Sequence, residues 1–207
     1  MIEVNLFVED AGHEAFLTAL LARLAGEYRL PVHVNPRSVT GGHGRVMTEL
    51  GKYVRALAAG IERMPDLLVV AIDANCRGFS ERRREIDEVL GKYRDWAVCA
   101  VPDPHIERWM LLDSSAFSSV LGMGCAPPDQ KCNRDRYKQI LANAVRAAGV
   151  EPILGGLEYA DEIAYAMDLQ RAGQSDRSFH HFMEALRDAF SRFKMTPSGW
   201  QAPNWSG

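Results

Sequence analysis

Several features that would assign a protein to a special class are missing from this 207-residue sequence. No segment approaches the roughly 18–20 consecutive apolar residues that a membrane-spanning helix needs. The first residues also lack the succession of basic, apolar and small side chains that marks a secretory signal. These absences predict a cytoplasmic protein that does not enter a membrane.

The four cysteines show no recognised ligand or disulfide pattern. Cys76, Cys99, Cys125 and Cys132 include no C-x-x-C pair, and they do not have zinc-finger spacing with histidine. We therefore expect neither a structural zinc site nor a disulfide framework.

The sequence also has no excess of basic charge. It carries 24 lysines and arginines against 27 aspartates and glutamates, which gives a net charge of −3. A surface of this charge does not attract phosphate backbones over its whole area. Any contact with nucleic acid is therefore expected to be local. The hydrophobic fraction of 47% and the charged fraction of 25% are those of an ordinary folded protein.

The alternation of apolar segments with helical periodicity predicts an α/β fold. Four segments are rich in β-branched and apolar side chains and are interpreted as strands: residues 2–8, 30–34, 67–73 and 96–102. Between them, apolar residues recur every three or four positions, which is typical of helices that lie on a sheet. Because parallel strands need crossover connections, this order predicts an open, mainly parallel four-stranded sheet flanked by helices.

Beyond residue 104 the pattern is helical throughout. Helices are predicted at about 104–120, 133–148, 157–171 and 178–193, followed by an irregular tail from about residue 195. We expect an α/β domain over residues 1–122 and a helical extension over residues 123–207 that packs on it.

Polar side chains follow the predicted strands at the points where the strands end. Glu9 and Asp10 come after the first strand, and Asp73 and Asn75 come after the third. The carboxyl ends of parallel strands meet at one edge of a sheet, where ligands usually bind. Mg²⁺ prefers oxygen ligands and commonly takes one or two carboxylates. The sequence therefore predicts a site for Mg²⁺ or Mn²⁺ at this edge, although acids at strand ends also cap helices or remain solvated.

The segment VPDPHIERW, which leaves the fourth strand, adds a further acidic group. Glu107 lies in its short turn and is a candidate second ligand for the same cation. The alternative is a surface ion pair between Glu107 and Arg108.

An arginine cluster follows Asp73 along the chain. Arg77 and Arg82 lie on the next loop and helix, where guanidinium groups suit contact with a phosphodiester backbone. Glu81 and Glu85 are interleaved with these arginines, so a solvated, salt-bridged helix surface is the other interpretation.

Three segments, VEDAGHEAF, LLVVAIDAN and CAVPDPHIERWMLLD, together resemble the toprim fold over about residues 2–113. The resemblance is strongest to the small toprim-like proteins akin to the nuclease part of overcoming-lysogenization-defect ATPases. Families of this type place a glutamate after strand one, sometimes with a second acid one helical turn later, and Asp-x-Asp after strand three. The matching positions here are Glu9, Glu14, Asp73 and Asn75. Asn75 departs from the pattern because its amide carries no formal charge.

The resemblance implies phosphodiester chemistry that depends on Mg²⁺ or Mn²⁺. It implies that Glu9 ligates metal or moves protons and that Asp73 is the principal metal ligand. A lysine such as Lys131 or Lys138 is expected to stabilise developing phosphate charge. A nucleic-acid substrate and a separate ATPase partner in phage defence follow from the same resemblance, and a homodimer is compatible with it. A catalytically degenerate module that binds nucleic acid or a partner is the alternative.

Two other α/β functions fit parts of the sequence. A phosphoacceptor receiver domain would use Asp73 as the acceptor beside a cation held by Glu9 and Asp10, but the interval from Asp10 to Asp73 is longer than that compact fold favours. A dinucleotide-binding domain is disfavoured because the turn after the first strand lacks G-x-G-x-x-G.

Overall fold

The computed structural model describes residues 1–39, 41–133 and 135–195, and within them four parallel strands form one open sheet in the order β2-β1-β3-β4. The strands are β1 (Ile2–Val8), β2 (Val32–Ser38), β3 (Leu67–Ala71) and β4 (Ala97–Ala100). The predicted open, parallel α/β sheet is confirmed. The first and third strands lie side by side at its centre, with Val4 opposite Leu67 and Phe7 opposite Val70.

Helices cover both faces of the sheet. The crossover helices are α1 (Ala11–Tyr28), α2 (His43–Ala58) and α3 (Phe79–Leu90). Val69 and Ala71 of β3 belong to the core on the α1 face, whereas Leu68 and Val70 belong to the core under α2 and α3. Every residue of β3 is therefore buried, as expected of a central parallel strand.

In the described part of the chain, β4 is followed by six further α-helices: α4 (Ile106–Met110), α5 (Ser114–Leu121), α6 (Arg136–Ala147), α7 (Ala160–Ala166), α8 (Leu169–Ser175) and α9 (Arg177–Met195). They join the core on the α1 face, where Trp109 packs against Phe179 and Phe182 of α9. No helix among the described residues has both the length and the apolar character needed to cross a membrane. The tail predicted to be irregular lies, from residue 196 onward, outside the described residues.

Two of the predicted helices are each divided by an aspartate. Asp113 separates α4 from α5 and accepts hydrogen bonds from the backbone N–H groups of Ser115 and Ala116. Asp168 begins α8 in the same way. Such side chains satisfy the free N–H groups at a helix start, so each aspartate begins a new helix where apolar periodicity alone predicted a continuous one.

The expectation that the cysteines form no disulfide is wrong for one pair. Cys76, in a short 3-10 helix over Asn75–Arg77, forms a disulfide with Cys132 in the loop before α6. The two residues are 56 positions apart, and only the tertiary fold brings their segments together. Cys99 and Cys125 are free and buried.

Candidate carboxylate and histidine site

Three acidic residues approach one another at the carboxyl edge of the sheet. Glu9 follows β1, Asp73 follows β3, and Glu107 lies in the first turn of α4, after β4. The backbone N–H of Asp73 donates a hydrogen bond to Oε1 of Glu9 at 2.8 Å. The negative charge of Asp73 also contributes to a raised pKa at Glu107, second to the effect of burial. The structure therefore brings Glu9 and Asp73 together, with Glu107 close by.

The Asp73 carboxylate is the centre of this site. Its Oδ1 atom lies 3.1 Å from Nε2 of His13 and accepts a bond from the N–H of Ile106 at 2.9 Å. Its Oδ2 atom lies 3.1 Å from Nδ1 of His105. Only 8% of Asp73 is exposed. Since each carboxylate oxygen has two acceptor positions, Oδ2 retains one for a further partner.

His13 links Asp73 to a second carboxylate. Asp10 caps α1 by accepting the backbone N–H of His13, and the same Oδ1 atom lies 3.0 Å from the His13 Nδ1 atom. Burial alone would lower the pKa of this fully enclosed imidazole, but the charges of Asp73 and Asp10 raise it well above its usual value. His13 is therefore protonated and donates from both ring nitrogens.

The charges along this chain alternate in sign. Burial would raise the pKa of Asp73, yet His13 and His105 together lower it below the ordinary value. Burial would lower the pKa of His105, and its hydrogen bond to Asp73 raises it instead. The pKa of Asp10 is lowered to about 2 because His13 outweighs the effect of burial. Two carboxylates thus alternate with two imidazole rings, and each contact favours the charged forms of its two partners.

Within residues 1–39, 41–133 and 135–195, neither Glu9 nor Glu107 forms an ion pair with a cationic side chain. Burial first and then the Asp73 charge raise the pKa of Glu9 to about 7. Burial likewise raises the pKa of Glu107, which is 2% exposed. The Oε2 atom of Glu107 is buried and has no hydrogen-bond partner among the residues that the structure describes. A buried polar atom without a partner is costly, so these glutamates are the part of the site that a bound group would stabilise.

Similarity to known proteins does not identify this arrangement. No family model, curated protein or solved structure matches the chain.

The donor atoms of the site suit a hard divalent cation. Glu9, Asp73 and Glu107 supply carboxylate oxygens, which Mg²⁺ and Mn²⁺ prefer, and the Glu107 Oε2 atom has a free lone pair that a cation could use. Across the described residues, however, no group of three or more His, Cys, Asp or Glu side chains is already arranged to hold a metal ion. The acids fit such an ion in chemistry, and the side chains need to move to close around it.

The two remaining predicted ligands have other contacts. Glu14 accepts a hydrogen bond from the Ser38 hydroxyl at the end of β2. Asn75 donates its side-chain amide to the backbone oxygen of Asp73 at 3.3 Å and has a φ of 51°, in the left-handed region. Neither side chain bonds to the carboxylate of Asp73.

The two arginines proposed for nucleic-acid contact are occupied by acidic neighbours. Arg82 is 3% exposed and pairs with Glu85 at 2.7 Å. Arg77 is exposed and pairs with both Glu81 and Glu85. Such ion pairs agree with the alternative interpretation from the sequence, in which these arginines pair with acids of the same helix. Arg82 is also too enclosed to reach a phosphate without rearrangement.

The lysine whose charge reaches the site is Lys138 of α6. Its positive charge acts to lower the pKa of both Glu107 and His105. The net shift of each is still upward, because burial dominates at Glu107 and the contact with Asp73 dominates at His105. Lys131 is exposed in the loop beside Cys132.

Sequence reasoning did not identify the two histidines as site residues. Their signals are modest: His13 stands three positions after Asp10 at a helix start, and His105 follows a proline in the turn after β4. Both become informative only when the fold places them on either side of Asp73.

Proposed function

We propose that this protein hydrolyses phosphodiester bonds in nucleic acid with the help of Mg²⁺ or Mn²⁺ bound at Glu9, Asp73 and Glu107. The observation that carries the proposal is the buried Glu107 oxygen without a partner, close to two further carboxylates at the sheet edge. When bound, the cation polarises a phosphoryl oxygen and lowers the pKa of water.

The residues around the carboxylates have distinct roles in this proposal. His13 and His105 hold the Asp73 carboxylate in one orientation through bonds of 3.1 Å. Glu9, with a pKa of about 7, gives up its proton readily at neutral pH and is then able to ligate the cation. Lys138 brings positive charge toward the phosphate.

The wider setting is also part of the proposal. The protein acts in the cytoplasm, contacts nucleic acid locally, and works beside a separate ATPase, as a monomer or a homodimer. The net charge of −3 supports the local contact, since the chain alone has little general attraction for a polyanion. The ATPase partner follows from the resemblance to toprim-like proteins.

One observation favours a second candidate, a catalytically inactive toprim-like module. The Asp73 carboxylate already bonds to the rings of His13 and His105, and the described side chains include no cluster arranged to hold a metal ion. A receiver-like function has less support, because an Asp73 carboxylate with three hydrogen bonds and 8% exposure is poorly placed to attack a phosphoryl donor.

Incubation with plasmid DNA, single-stranded DNA and RNA, each with Mg²⁺, Mn²⁺ or EDTA, tests the proposal. We expect cation-dependent cleavage that falls at least about 100-fold in Asp73→Asn and Glu107→Gln. Asp95→Asn, which changes an 83% exposed carboxylate elsewhere, is the matched control. Calorimetric Mn²⁺ titration gives a second readout. Absence of both cleavage and cation binding would leave the inactive module, and stable labelling of Asp73 by acetyl phosphate would favour the receiver.

A further inference from the structure

A cleft of about 580 Å³ lies between the edge strand β2 and helix α2, and we call it the β2–α2 cleft. Phe7 and Tyr53 form part of its lining, together with three cationic and two acidic side chains. These charged residues are Arg37, Arg45, Lys52, Glu49 and Glu62. The cleft is therefore polar at its walls and carries one more positive than negative charge.

Arg37 is held in place by aromatic rings. Its guanidinium carbon lies 4.6 Å from the ring centre of Tyr53 and 5.7 Å from that of Phe7. The Tyr53 hydroxyl is itself fixed by the amide of Asn5 at 2.8 Å. A guanidinium placed over aromatic faces is both attracted to them and limited in its movement. Arg37 is thus a preorganised donor for an anion.

The acidic partners in the cleft hold their cations only loosely. Glu62 pairs with Arg37 at 3.3 Å, and Glu49 pairs with Lys52 at 2.8 Å, in both cases with side chains more than a third exposed. Exposed ion pairs of this kind contribute little to stability, so a phosphate can replace either acid at low cost. No ion pair of Arg45 occurs among residues 1–39, 41–133 and 135–195.

The cleft and the carboxylate site share one edge of the sheet. Val8 is opposite Ser38 in the sheet, and the pairing continues with a bond of 3.0 Å from the Val39 N–H to the Val8 carbonyl oxygen. Ser38 and Val39 line the cleft, while Glu9 directly follows Val8. Neighbouring strands lie about 4.8 Å apart, so the cleft begins roughly one strand spacing from Glu9.

We propose that the β2–α2 cleft binds the phosphodiester backbone of a single nucleic-acid strand that extends from the carboxylate site. The choice of ligand rests on the proposed function. Arg45 and Lys52 are seven residues apart on α2, a rise of about 10 Å, which is longer than one phosphate group and accommodates at least two neighbouring ones. In this proposal Arg37, Arg45 and Lys52 make the contacts with the phosphodiester backbone that the sequence had suggested for Arg77 and Arg82.

Binding of a fluorescent 12-nucleotide single-stranded DNA, measured by anisotropy in EDTA and low salt, separates this contact from any cleavage. We expect Arg45→Gln and Arg37→Gln each to weaken binding about fivefold to tenfold and to reduce the salt slope by about 0.7. Glu62→Gln should tighten binding, because it removes a competing negative charge. Arg94→Gln and Asp95→Asn are matched controls, since both residues lie before β4, at the opposite edge.

The outcomes separate the cleft from the proposed function. If wild type, Arg45→Gln and Arg37→Gln bind the oligonucleotide equally well, the proposed binding in the cleft is wrong, even if cleavage is observed. The proposal is also wrong if the wild type does not bind the oligonucleotide. Weaker binding by those two variants, with no cleavage by any form, would support the cleft and refute the nuclease. Inorganic phosphate and thymidine monophosphate serve as competitors. If either displaces the labelled DNA at the same molar concentration as the unlabelled oligonucleotide, the cleft binds a small phosphate ligand, and the proposal of a nucleic-acid strand is refuted. Thermal unfolding of each variant shows that it is folded.

Discussion

The Nε2 atom of His13 lies 3.1 Å from the Oδ1 atom of Asp73, although the two residues are 60 positions apart in sequence. The imidazole is fully buried, and it bonds through its other nitrogen to Asp10. This single side chain joins the start of α1 to the end of β3. The site is therefore held together by a histidine, and the three acids proposed to bind a cation are arranged around it.

Loss of the His13 imidazole is expected to destabilise the fold. His13→Ala removes the buried group that bonds to both Asp73 and Asp10, so the free energy of unfolding should fall by roughly 3–5 kcal/mol. His33→Ala, which removes an exposed histidine paired with Glu3, should cost about 1 kcal/mol or less. Urea unfolding of both variants measures the difference. Equal losses would contradict the assigned role of His13.

Glu9 should make stability decrease as the pH rises. A folded-state pKa of about 7, against an ordinary value of 4.5, means that the folded chain keeps a proton that the unfolded chain releases. The contribution of Glu9 to the free energy of unfolding is therefore most favourable below about pH 4.5. By pH 7 the free energy of unfolding has fallen by roughly 3 kcal/mol because of this group. The loss should be absent in Glu9→Gln. Urea unfolding between pH 5 and pH 8 tests this, and identical profiles for the two proteins would contradict it.

Cation binding should release protons below about pH 7. Glu9 must give up its proton to bind Mg²⁺ or Mn²⁺, so the apparent affinity should rise up to tenfold per pH unit and then level off near the Glu9 pKa of about 7. Calorimetry in two buffers of different ionisation enthalpy counts the protons released. Affinity that is independent of pH would exclude Glu9 as a ligand, and the exposed-site variant Asp95→Asn should behave as wild type.

Reduction of the Cys76–Cys132 disulfide should lower stability without unfolding the sheet. The bond closes a loop of 56 residues, for which chain entropy predicts a loss of about 4 kcal/mol, and measured effects are commonly 2–4 kcal/mol. Unfolding with and without a dithiol reductant measures the loss. The double variant Cys76→Ser, Cys132→Ser should be insensitive to the reductant, and a similar response in it would assign the effect to another group.

The buried ion pair between Arg108 and Asp176 should be costly to break. Both side chains are at most 3% exposed, and Asp176 also caps α9 by accepting the N–H of Phe179. Arg108→Ala is expected to lower the free energy of unfolding by about 3–5 kcal/mol, because it leaves a buried charge alone. Arg84→Ala, which breaks an exposed pair with Glu88, should cost less than about 1 kcal/mol. Similar losses in the two variants would contradict this account.

The sheet and the meeting of Glu9 with Asp73 were predictable from sequence for a physical reason. A short continuous apolar run such as Leu67–Ala71 is typical of a strand covered on both faces, and parallel strands bring their carboxyl ends to one edge. The apolar pattern of the strands was therefore enough to predict that the residues following β1 and β3 lie at the same edge of the sheet. Binding of a cation at that edge remains a prediction.

The histidines, the disulfide and the helix divisions were not predictable from sequence in the same way. His13 has no special spacing, and its role arises from the contact of α1 with the end of β3. Cys76 and Cys132 are 56 positions apart, and no local sequence pattern pairs them. Asp113 divides a predicted helix because its side chain caps α5, which apolar periodicity does not register. These features depend on contacts between distant segments, which are decided only by the complete fold.

The disulfide also determines what happens to a broken chain. A protease that cuts once in the exposed segment Gly122–Gly124 leaves two polypeptides that still migrate as one species on a non-reducing gel, because Cys76 remains attached to Cys132. Both fragments also contribute to the core on the α1 face, so a single cut need not separate them in solution. A cleavage of this kind would become visible on a gel only after a thiol has reduced the disulfide.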